Sequence, residues 1–131
     1  MKQHILTWND VEHGISKIVS QIYDSQWRPE VIYGIARGGL IPAVMLAHKL
    51  NINNMGNTIT HNGPSPTKLL VVDEICDSGN TFNSWPRYPY YRYCALVNNI
   101  GGHNIFKDVS YYGIEINKEK DPSWIIFPWE I

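Results

Sequence analysis

The sequence predicts an α/β domain with a mostly parallel central sheet flanked by helices. Two short runs, at residues 31–35 and 69–72, are continuously apolar, which is typical of strands buried on both faces. A glycine-rich loop and an apolar helical pattern follow the first run, in the order found in a βαβ unit. With 131 residues and no repeat, low-complexity tract or interdomain linker, the chain is predicted to form one domain over residues 1–131.

The composition excludes several classes of protein. Apolar residues make up 44% of the chain and charged residues 18%, which excludes wholesale disorder. Eleven basic and twelve acidic side chains leave a net charge of −1 and no basic surface for nucleic acid. The longest apolar stretches are broken by Gly34, Arg37 and Pro42, and the first residues lack the apolar segment of a signal peptide. Together with two cysteines, these features predict a soluble, cytoplasmic protein without a transmembrane segment or a nucleic-acid partner.

The first element is predicted to be an amphipathic helix. Thr7 and Asp10 have the spacing of a capping box, in which each side chain covers a free backbone amide. Pro29 closes the segment. The residues that form its apolar stripe at helical spacing are Val11, Ile15, Ile18, Val19 and Ile22.

Strands and loops alternate along the rest of the chain. The loop Ala36-Arg37-Gly38-Gly39 follows the first buried strand, and Pro42 lies where the first turn of a second helix accepts it. Residues 61–67 are rich in glycine and proline and are predicted to form an exposed loop. A third helix after residues 78–81 can only be short, because Pro86 follows soon after. The other predicted strands are at residues 55–60, 68–73, 93–97, 109–116 and 124–127.

Acidic residues and a small-residue turn come together after the second buried strand. Asp73 and Glu74 close that strand, and Asp77 follows three residues later. In an open α/β sheet, ligands bind beyond the carboxyl ends of the strands. The turn at residues 78–81 offers backbone amides and hydroxyls to a phosphate, and an acid pair can hold vicinal sugar hydroxyls directly or through Mg²⁺. The pattern therefore predicts a sugar-phosphate site.

Four segments carry a resemblance to a known family. The run Val-Val-Asp-Glu-Ile-Cys-Asp-Ser-Gly-Asn-Thr at residues 71–81 resembles the ribose-phosphate signature of the type I phosphoribosyltransferases. Ile-Ala-Arg-Gly-Gly at residues 35–39 resembles their pyrophosphate loop, in which a non-proline peptide bond is often cis. Ile-Leu-Thr-Trp at residues 5–8 and Trp-Ile-x-x-Pro-Trp at residues 124–129 resemble the two ends of purine-specific members. The resemblance spans nearly the whole chain.

The resemblance implies a set of roles. Asp73 and Glu74 would hold the ribose hydroxyls of phosphoribosyl pyrophosphate (PRPP), with Glu74 as a ligand of the cofactor Mg²⁺. Asp77 would be the catalytic carboxylate near N7 of the purine. Trp124 would stack on the base and the main chain of Ile125 would contact its edge. The residues expected at the 5′-phosphate are Asp77, Ser78, Gly79, Asn80 and Thr81, and those expected at the pyrophosphate are Ala36, Arg37, Gly38 and Gly39. The implied reaction is displacement of pyrophosphate from C1 of the ribose by a base nitrogen.

Two features depart from the family pattern. The lysine that the family's purine enzymes place on the 6-oxo group is replaced by Asn99, which is therefore the expected base contact at that point. An asparagine amide both donates and accepts, so the preference among bases stays open. The segment that corresponds to the family's mobile lid, around residues 61–67, is also short, and a short lid excludes water less well.

Plainer interpretations stand beside these. The three acids also fit a solvated strand end and a helix cap, and Trp124 also fits an ordinary core or interface aromatic. Cys76 is better explained as a small buried hydrophobe than as a nucleophile, and the histidines lack the spacing of zinc ligands. The tyrosine-rich stretch at residues 88–93 suggests a subunit interface of a homodimer or homotetramer. The functional hypotheses are an active purine phosphoribosyltransferase, a non-catalytic nucleotide-binding or regulatory relative, and a hydrolase of PRPP.

Overall fold

The computed structural model describes residues 2–56 and 67–131. Its helices are α1 (Trp8–Asp24), α2 (Leu40–Leu50) and α3 (Asn80–Asn83), and a 3₁₀ turn covers Pro128–Glu130. Its strands are β1 (Gln3–Ile5), β2 (Val31–Gly34), β3 (Met55–Gly56), β4 (Leu69–Cys76), β5 (Tyr91–Asn99), β6 (Val109–Ile116) and β7 (Trp124–Ile126).

The central sheet has five strands in the order β3-β2-β4-β5-β6, and every neighbouring pair is parallel. The predicted α/β class with a parallel sheet is confirmed. Because all five strands run the same way, the loops that follow β2, β4, β5 and β6 lie at one edge of the sheet. This is the edge at which α/β folds bind ligands.

Helix α1 covers one face of the sheet, as its apolar stripe predicts. The capping box is present, with the Thr7 side chain accepting from the Asp10 amide and the Asp10 side chain accepting from the Thr7 amide. Val11, Ile15 and Ile18 are fully buried in the main core. Each such side chain contributes about 1.5–3 kcal/mol relative to an exposed position, so this packing is sufficient to hold the helix on the sheet.

A second, two-stranded sheet joins the two ends of the chain. Strands β1 and β7 are parallel neighbours, with Ile5 opposite Ile126. Beyond β7, the Trp129 ring stacks on Phe127 with centroids 4.8 Å apart and lies 5.8 Å from the Trp8 ring. The two terminal segments that were singled out separately in the sequence therefore form one structural unit.

Some predicted boundaries differ from the structure. Strand β4 does not end at Asp73 but continues to Cys76, because its pairing with β5 persists beyond the acid pair through Ile75 and Val97. The predicted strand at residues 55–60 is described only for Met55–Gly56, and residues 57–60 and most of the predicted loop at 61–67 lie outside the described residues. Among the helices formed by residues 2–56 and 67–131, none has the length and apolar character needed to span a bilayer.

Candidate active site

A cavity of about 580 Å³ lies between the loop after β2, the acid pair on β4 and the C-terminal 3₁₀ turn. Its lining residues are Arg37, Gly38, Ile41, Glu74, Trp129 and Glu130. Two segments that are far apart in the sequence and were expected to bind one ligand thus meet at one cavity, which Arg37 and Gly38 line from the loop after β2 and Glu74 lines from the acid pair.

The loop after β2 is held tightly against β4. The Ile35 amide donates to the Val72 carbonyl and the Gly39 amide donates to the Ile35 carbonyl, both at 2.9 Å. A Cβ atom on Gly39 would lie 2.6 Å from each of those carbonyl oxygens, so only glycine fits there. The Ala36–Arg37 peptide bond is cis, as the resemblance implies. The loop is therefore held on the strand that carries the acid pair.

The acid pair is partly buried and strongly perturbed. Burial raises the pKa of Asp73 to about 6; the hydrogen bond from the Glu74 amide opposes this effect, and the charge of Glu74 adds to it. Burial also raises the pKa of Glu74, whose Oε2 accepts from Trp129 Nε1 at 3.2 Å, and the nearby Glu130 adds to the rise. Ionised carboxylates at this site are costly until a cation joins them.

The carboxylates of the acid pair fit a magnesium ion that would be held partly by the protein and partly by the substrate. In the part of the chain that the structure describes, no three His, Cys, Asp or Glu side chains come together as a complete metal cage. Mg²⁺ commonly binds through one or two carboxylates and completes its coordination with substrate phosphates and water. Glu74 lines the open cavity and Asp73 precedes it on β4, so the acid pair offers such a partial set.

The turn after β4 is positioned by the loop between β5 and β6. Gly79 has φ of +86°, and a Cβ atom there would lie 2.5 Å from Asn104 Oδ1 and from the Phe106 amide nitrogen. The Ile105 amide donates to the Ser78 carbonyl at 2.8 Å. Only glycine satisfies both the backbone angle and the space. The exposed Ser78, Asn80 and Thr81 are thereby placed at the same edge of the sheet as the acid pair.

Asp77 is surrounded by polar side chains from the end of β5 and from the loops after β5 and β6. Lys118 Nζ donates to its Oδ2 at 2.7 Å, Asn99 Nδ2 donates to its Oδ1 at 3.2 Å, and His103 Nε2 lies 3.6 Å from Oδ1. Lys118 follows β6, and His103 lies in the loop after β5. Neither residue was predicted from the sequence to belong to the site. The signal that could have found them is their position just beyond the carboxyl ends of parallel strands.

The predicted role of Asn99 as a base contact does not fit its surroundings. The side chain is 1% exposed and both ends of its amide are occupied. Its nitrogen donates to the backbone and side chain of Asp77, and its oxygen accepts from the amides of Gly101 and Lys118, each at 3.0 Å. Asn99 therefore joins the loops after β4, β5 and β6 and offers no free group to a ligand.

Trp124 and Ile125 lie on β7, beyond Asp77. The Trp124 side chain is 53% exposed, and Lys118 Nζ lies 5.1 Å from its ring centroid. The Trp124 amide donates to Lys2 and the Ile126 carbonyl accepts from Leu6, so alternate residues of β7 bond to β1. The main-chain groups of Ile125 therefore point to the opposite side of β7.

The two cysteines are structural. Cys76 is 3% exposed and Cys94 is fully buried, and burial raises the pKa of both thiols. A buried thiol with a raised pKa is a poor nucleophile. This agrees with the interpretation of Cys76 as a small buried hydrophobe.

The parallel sheet, the glycine loop after β2 and the acidic strand β4 together define the fold of the type I phosphoribosyltransferases. Solved structures bear this out. The chain is similar to the purine phosphoribosyltransferase of Pyrococcus horikoshii Ot3, with a TM-score of 0.75 and 26% identity over 98% of this chain and 94% of that one. The resemblance inferred from the sequence is thereby confirmed.

Two further structures are similar over nearly their whole length. The Helicobacter pylori xanthine-guanine-hypoxanthine phosphoribosyltransferase has a TM-score of 0.77 and 20% identity over 98% of this chain and 93% of that one. A hypothetical protein from Neisseria gonorrhoeae with bound ppGpp has a TM-score of 0.73 and 21% identity over 100% of this chain and 91% of that one. No family model matches the chain.

Proposed function

We propose that the protein is a phosphoribosyltransferase that transfers ribose 5-phosphate from PRPP to a purine base and releases pyrophosphate. The observation that carries the proposal is the shared cavity, in which Arg37 and Gly38 face the carboxylate of Glu74. A diphosphate and a sugar diol are adjacent groups of PRPP, so a binding site for it needs an anion-binding loop next to an acid pair. The similarity to purine phosphoribosyltransferases supports the same assignment.

The loop at residues 36–39 would bind the pyrophosphate group. Its backbone is tied to β4, so its amides need no rearrangement when the ligand arrives, and Arg37 adds a positive charge at the cavity wall. Preorganised donors of this kind stabilise charge as it develops on a leaving group. Ala36, Gly38 and Gly39 complete the loop.

The acid pair would hold the ribose and the metal. Asp73 and Glu74 would accept hydrogen bonds from the ribose hydroxyls, and Glu74 would also be a ligand of Mg²⁺. When bound, Mg²⁺ supplies positive charge to the pyrophosphate oxygens. Trp129, which donates to Glu74, would orient that carboxylate toward the cavity.

The turn after β4 would bind the 5′-phosphate, and β7 would bind the base. Ser78 and Thr81 offer hydroxyl groups, and Gly79 and Asn80 offer backbone amides, at the same edge of the sheet. Trp124 would stack on the purine. The main chain of Ile125, on the side of β7 that faces away from β1, would contact the edge of the purine.

The chemistry requires no covalent intermediate. A base nitrogen donates its lone pair to C1 of the ribose, the bond from C1 to the pyrophosphate oxygen breaks, and the bonding electrons leave with pyrophosphate. As that nitrogen bonds to C1, the proton on N7 of the purine would pass to the carboxylate of Asp77, so Asp77 is the proposed general base. Holding the two substrates in line accounts for much of the rate.

A second candidate is a nucleotide-binding protein without transferase activity. The similarity to the Neisseria gonorrhoeae protein with bound ppGpp favours it, because a guanine nucleotide would use the same phosphate and base contacts. Turnover separates the two candidates. Binding of nucleotides by a folded protein that transfers nothing would favour the second.

The test is a nucleobase panel with labelled PRPP, run with and without Mg²⁺. Guanine, xanthine, hypoxanthine and adenine are each supplied, and labelled nucleotide and pyrophosphate are quantified. We expect nucleotide and pyrophosphate in equal amounts with at least one base, and loss of at least roughly 100-fold in Asp77→Ala, since general bases contribute about that much. Glu12→Gln, on the exposed face of α1, is the control. No nucleotide with any base would refute transfer, and ribose 5-phosphate formed without a base would indicate a hydrolase.

A further inference from the structure

A lysine occupies the place between the catalytic carboxylate and the stacking tryptophan. Lys118 Nζ lies 2.7 Å from Asp77 Oδ2 and 5.1 Å from the Trp124 ring centroid. Its side chain is only 12% exposed, although it belongs to a loop. Placing an ammonium group out of water is costly unless partners compensate it. The contacts with Asp77 and Trp124 therefore hold Lys118 in a defined position within the site.

The lysine is also fixed at its backbone. The Lys118 amide donates to Asn99 Oδ1 at 3.0 Å, and Asn99 Nδ2 donates to Asp77 Oδ1 at 3.2 Å. One buried amide side chain therefore sets the spacing between the loop that carries Lys118 and the carboxylate that it contacts. His103 Nε2 also lies near this carboxylate, 3.6 Å from Oδ1.

The edge of a purine that carries N7 also carries the substituent at C6. At C6, guanine and hypoxanthine show a carbonyl oxygen that accepts a hydrogen bond, whereas adenine shows an amino group that donates one. A carboxylate placed at N7 leaves a group bonded to that carboxylate close to the C6 substituent. An ammonium group has three donors and no acceptor, so it favours a carbonyl oxygen and cannot accept from an amino group.

We propose that Lys118 determines base specificity by donating a hydrogen bond to the 6-oxo group, and so restricts the acceptor to 6-oxopurines. The proposal rests on the proposed transfer to a purine. Asn99 acts as a positioning residue, because it holds both Lys118 and Asp77 without facing the ligand. Lys118 would thus reach the base from the loop after β6. The position where the resemblance implies a lysine is occupied by Asn99, which holds Lys118 and Asp77 in place.

The test compares hypoxanthine with adenine in two independent assays. The first measures kcat/KM for transfer, and the second measures affinity for inosine and adenosine 5′-monophosphate by calorimetry, which needs no turnover. The variants are Lys118→Met, which removes the donors but keeps an unbranched apolar stem, and Lys118→Gln, which adds an acceptor. Lys120→Met is the control, since Lys120 is exposed on the same loop.

In the wild type we expect hypoxanthine and inosine monophosphate to be preferred. Lys118→Met should reduce the preference for the oxo compound by about 10- to 100-fold, the size of one hydrogen bond to a charged group. Lys118→Gln should reduce the preference for the oxo compound further, because the glutamine oxygen can accept a hydrogen bond from the amino group of the adenine compound. Lys120→Met should leave both ratios unchanged. Thermal melting of each variant confirms that it is folded.

The outcomes separate the two proposals. If the wild type transfers bases and Lys118→Met keeps the wild-type ratio, the role of Lys118 is overturned while transfer stands. If the wild type transfers nothing but Lys118→Met loses the nucleotide preference, the role of Lys118 is supported and transfer is refuted. A wild type without any preference for oxo compounds, or without any nucleotide binding, overturns the inference.

Discussion

Replacing Asp73 by asparagine should stabilise the protein at neutral pH. Burial raises the pKa of this carboxyl from an ordinary value of 3.8 to about 6, so ionising it opposes folding at neutral pH. At about 1.4 kcal/mol per pKa unit, the cost approaches about 3 kcal/mol. Asparagine keeps the Oδ1 atom that accepts from the Glu74 amide at 2.8 Å and removes the charge. The variant should therefore gain stability without losing that hydrogen bond.

The gain should depend on pH with a defined sign. The pKa in the folded protein lies above that in the unfolded chain, so the folded state holds the proton more tightly between pH 3.8 and 6. Wild-type stability therefore falls as the pH rises through this window, relative to Asp73→Asn. The advantage of the variant should be about 3 kcal/mol at pH 8 and about 1 kcal/mol at pH 4.5.

Urea unfolding at several pH values measures this difference. Glu12→Gln, which removes an exposed carboxylate from α1, should show no comparable gain. The same Asp73→Asn variant should bind PRPP at least roughly tenfold more weakly, since a hydrogen bond to a charged group is lost. An asparagine variant that is equally or less stable than the wild type at pH 8 would refute the reasoning.

Three further predictions concern the walls of the site. Gly39→Ala should destabilise the fold by about 1–3 kcal/mol in urea unfolding, because the new Cβ meets two backbone oxygens at 2.6 Å. In Gly38→Ala the nearest atoms to the new Cβ are those of the Glu74 carboxylate, so this variant should stay folded but lose PRPP affinity in calorimetry. Trp129→Phe removes the donor to Glu74 but keeps a ring, so KM for PRPP should rise several-fold with little change in kcat; an unchanged KM would exclude an orienting role. Asn99→Leu should lower kcat/KM by at least roughly tenfold and cost about 1–3 kcal/mol of stability, since it leaves buried partners unsatisfied.

Much of the fold was predictable from local patterns. The capping box at Thr7 and Asp10 predicted the beginning of α1, and the apolar run before Asp73 predicted a buried strand. The structure confirms both. These signals depend on residues close in the chain. The end of β4 was not predictable, because Asp73 and Glu74 look like a strand terminus, and only the pairing with β5 carries the strand on to Cys76.

Residues of the candidate site could be predicted where they belong to one recognisable sequence motif. They could not be predicted where side chains from separate loops come together only in the folded chain. The loop at residues 36–39 and the acid pair each have a recognisable pattern, and the structure brings Arg37 and Gly38 of the loop to the same cavity as Glu74. Lys118 has no such pattern, because its role comes from the register of β6 beside β5 and from a buried contact to Asn99. Asn99 was assigned to the base because position alone cannot show that its amide is already occupied.

Calorimetric titration of PRPP tests most directly whether the loop after β2 and the acid pair form one binding site. We expect the wild type to bind one PRPP per chain in the presence of Mg²⁺, with affinity reduced at least roughly tenfold when Mg²⁺ is removed or in Glu74→Gln, because a charged partner is lost in both cases. Glu12→Gln should bind as the wild type does. Equal affinity with and without Mg²⁺ and in Glu74→Gln, or no binding to the folded wild type, would contradict the account.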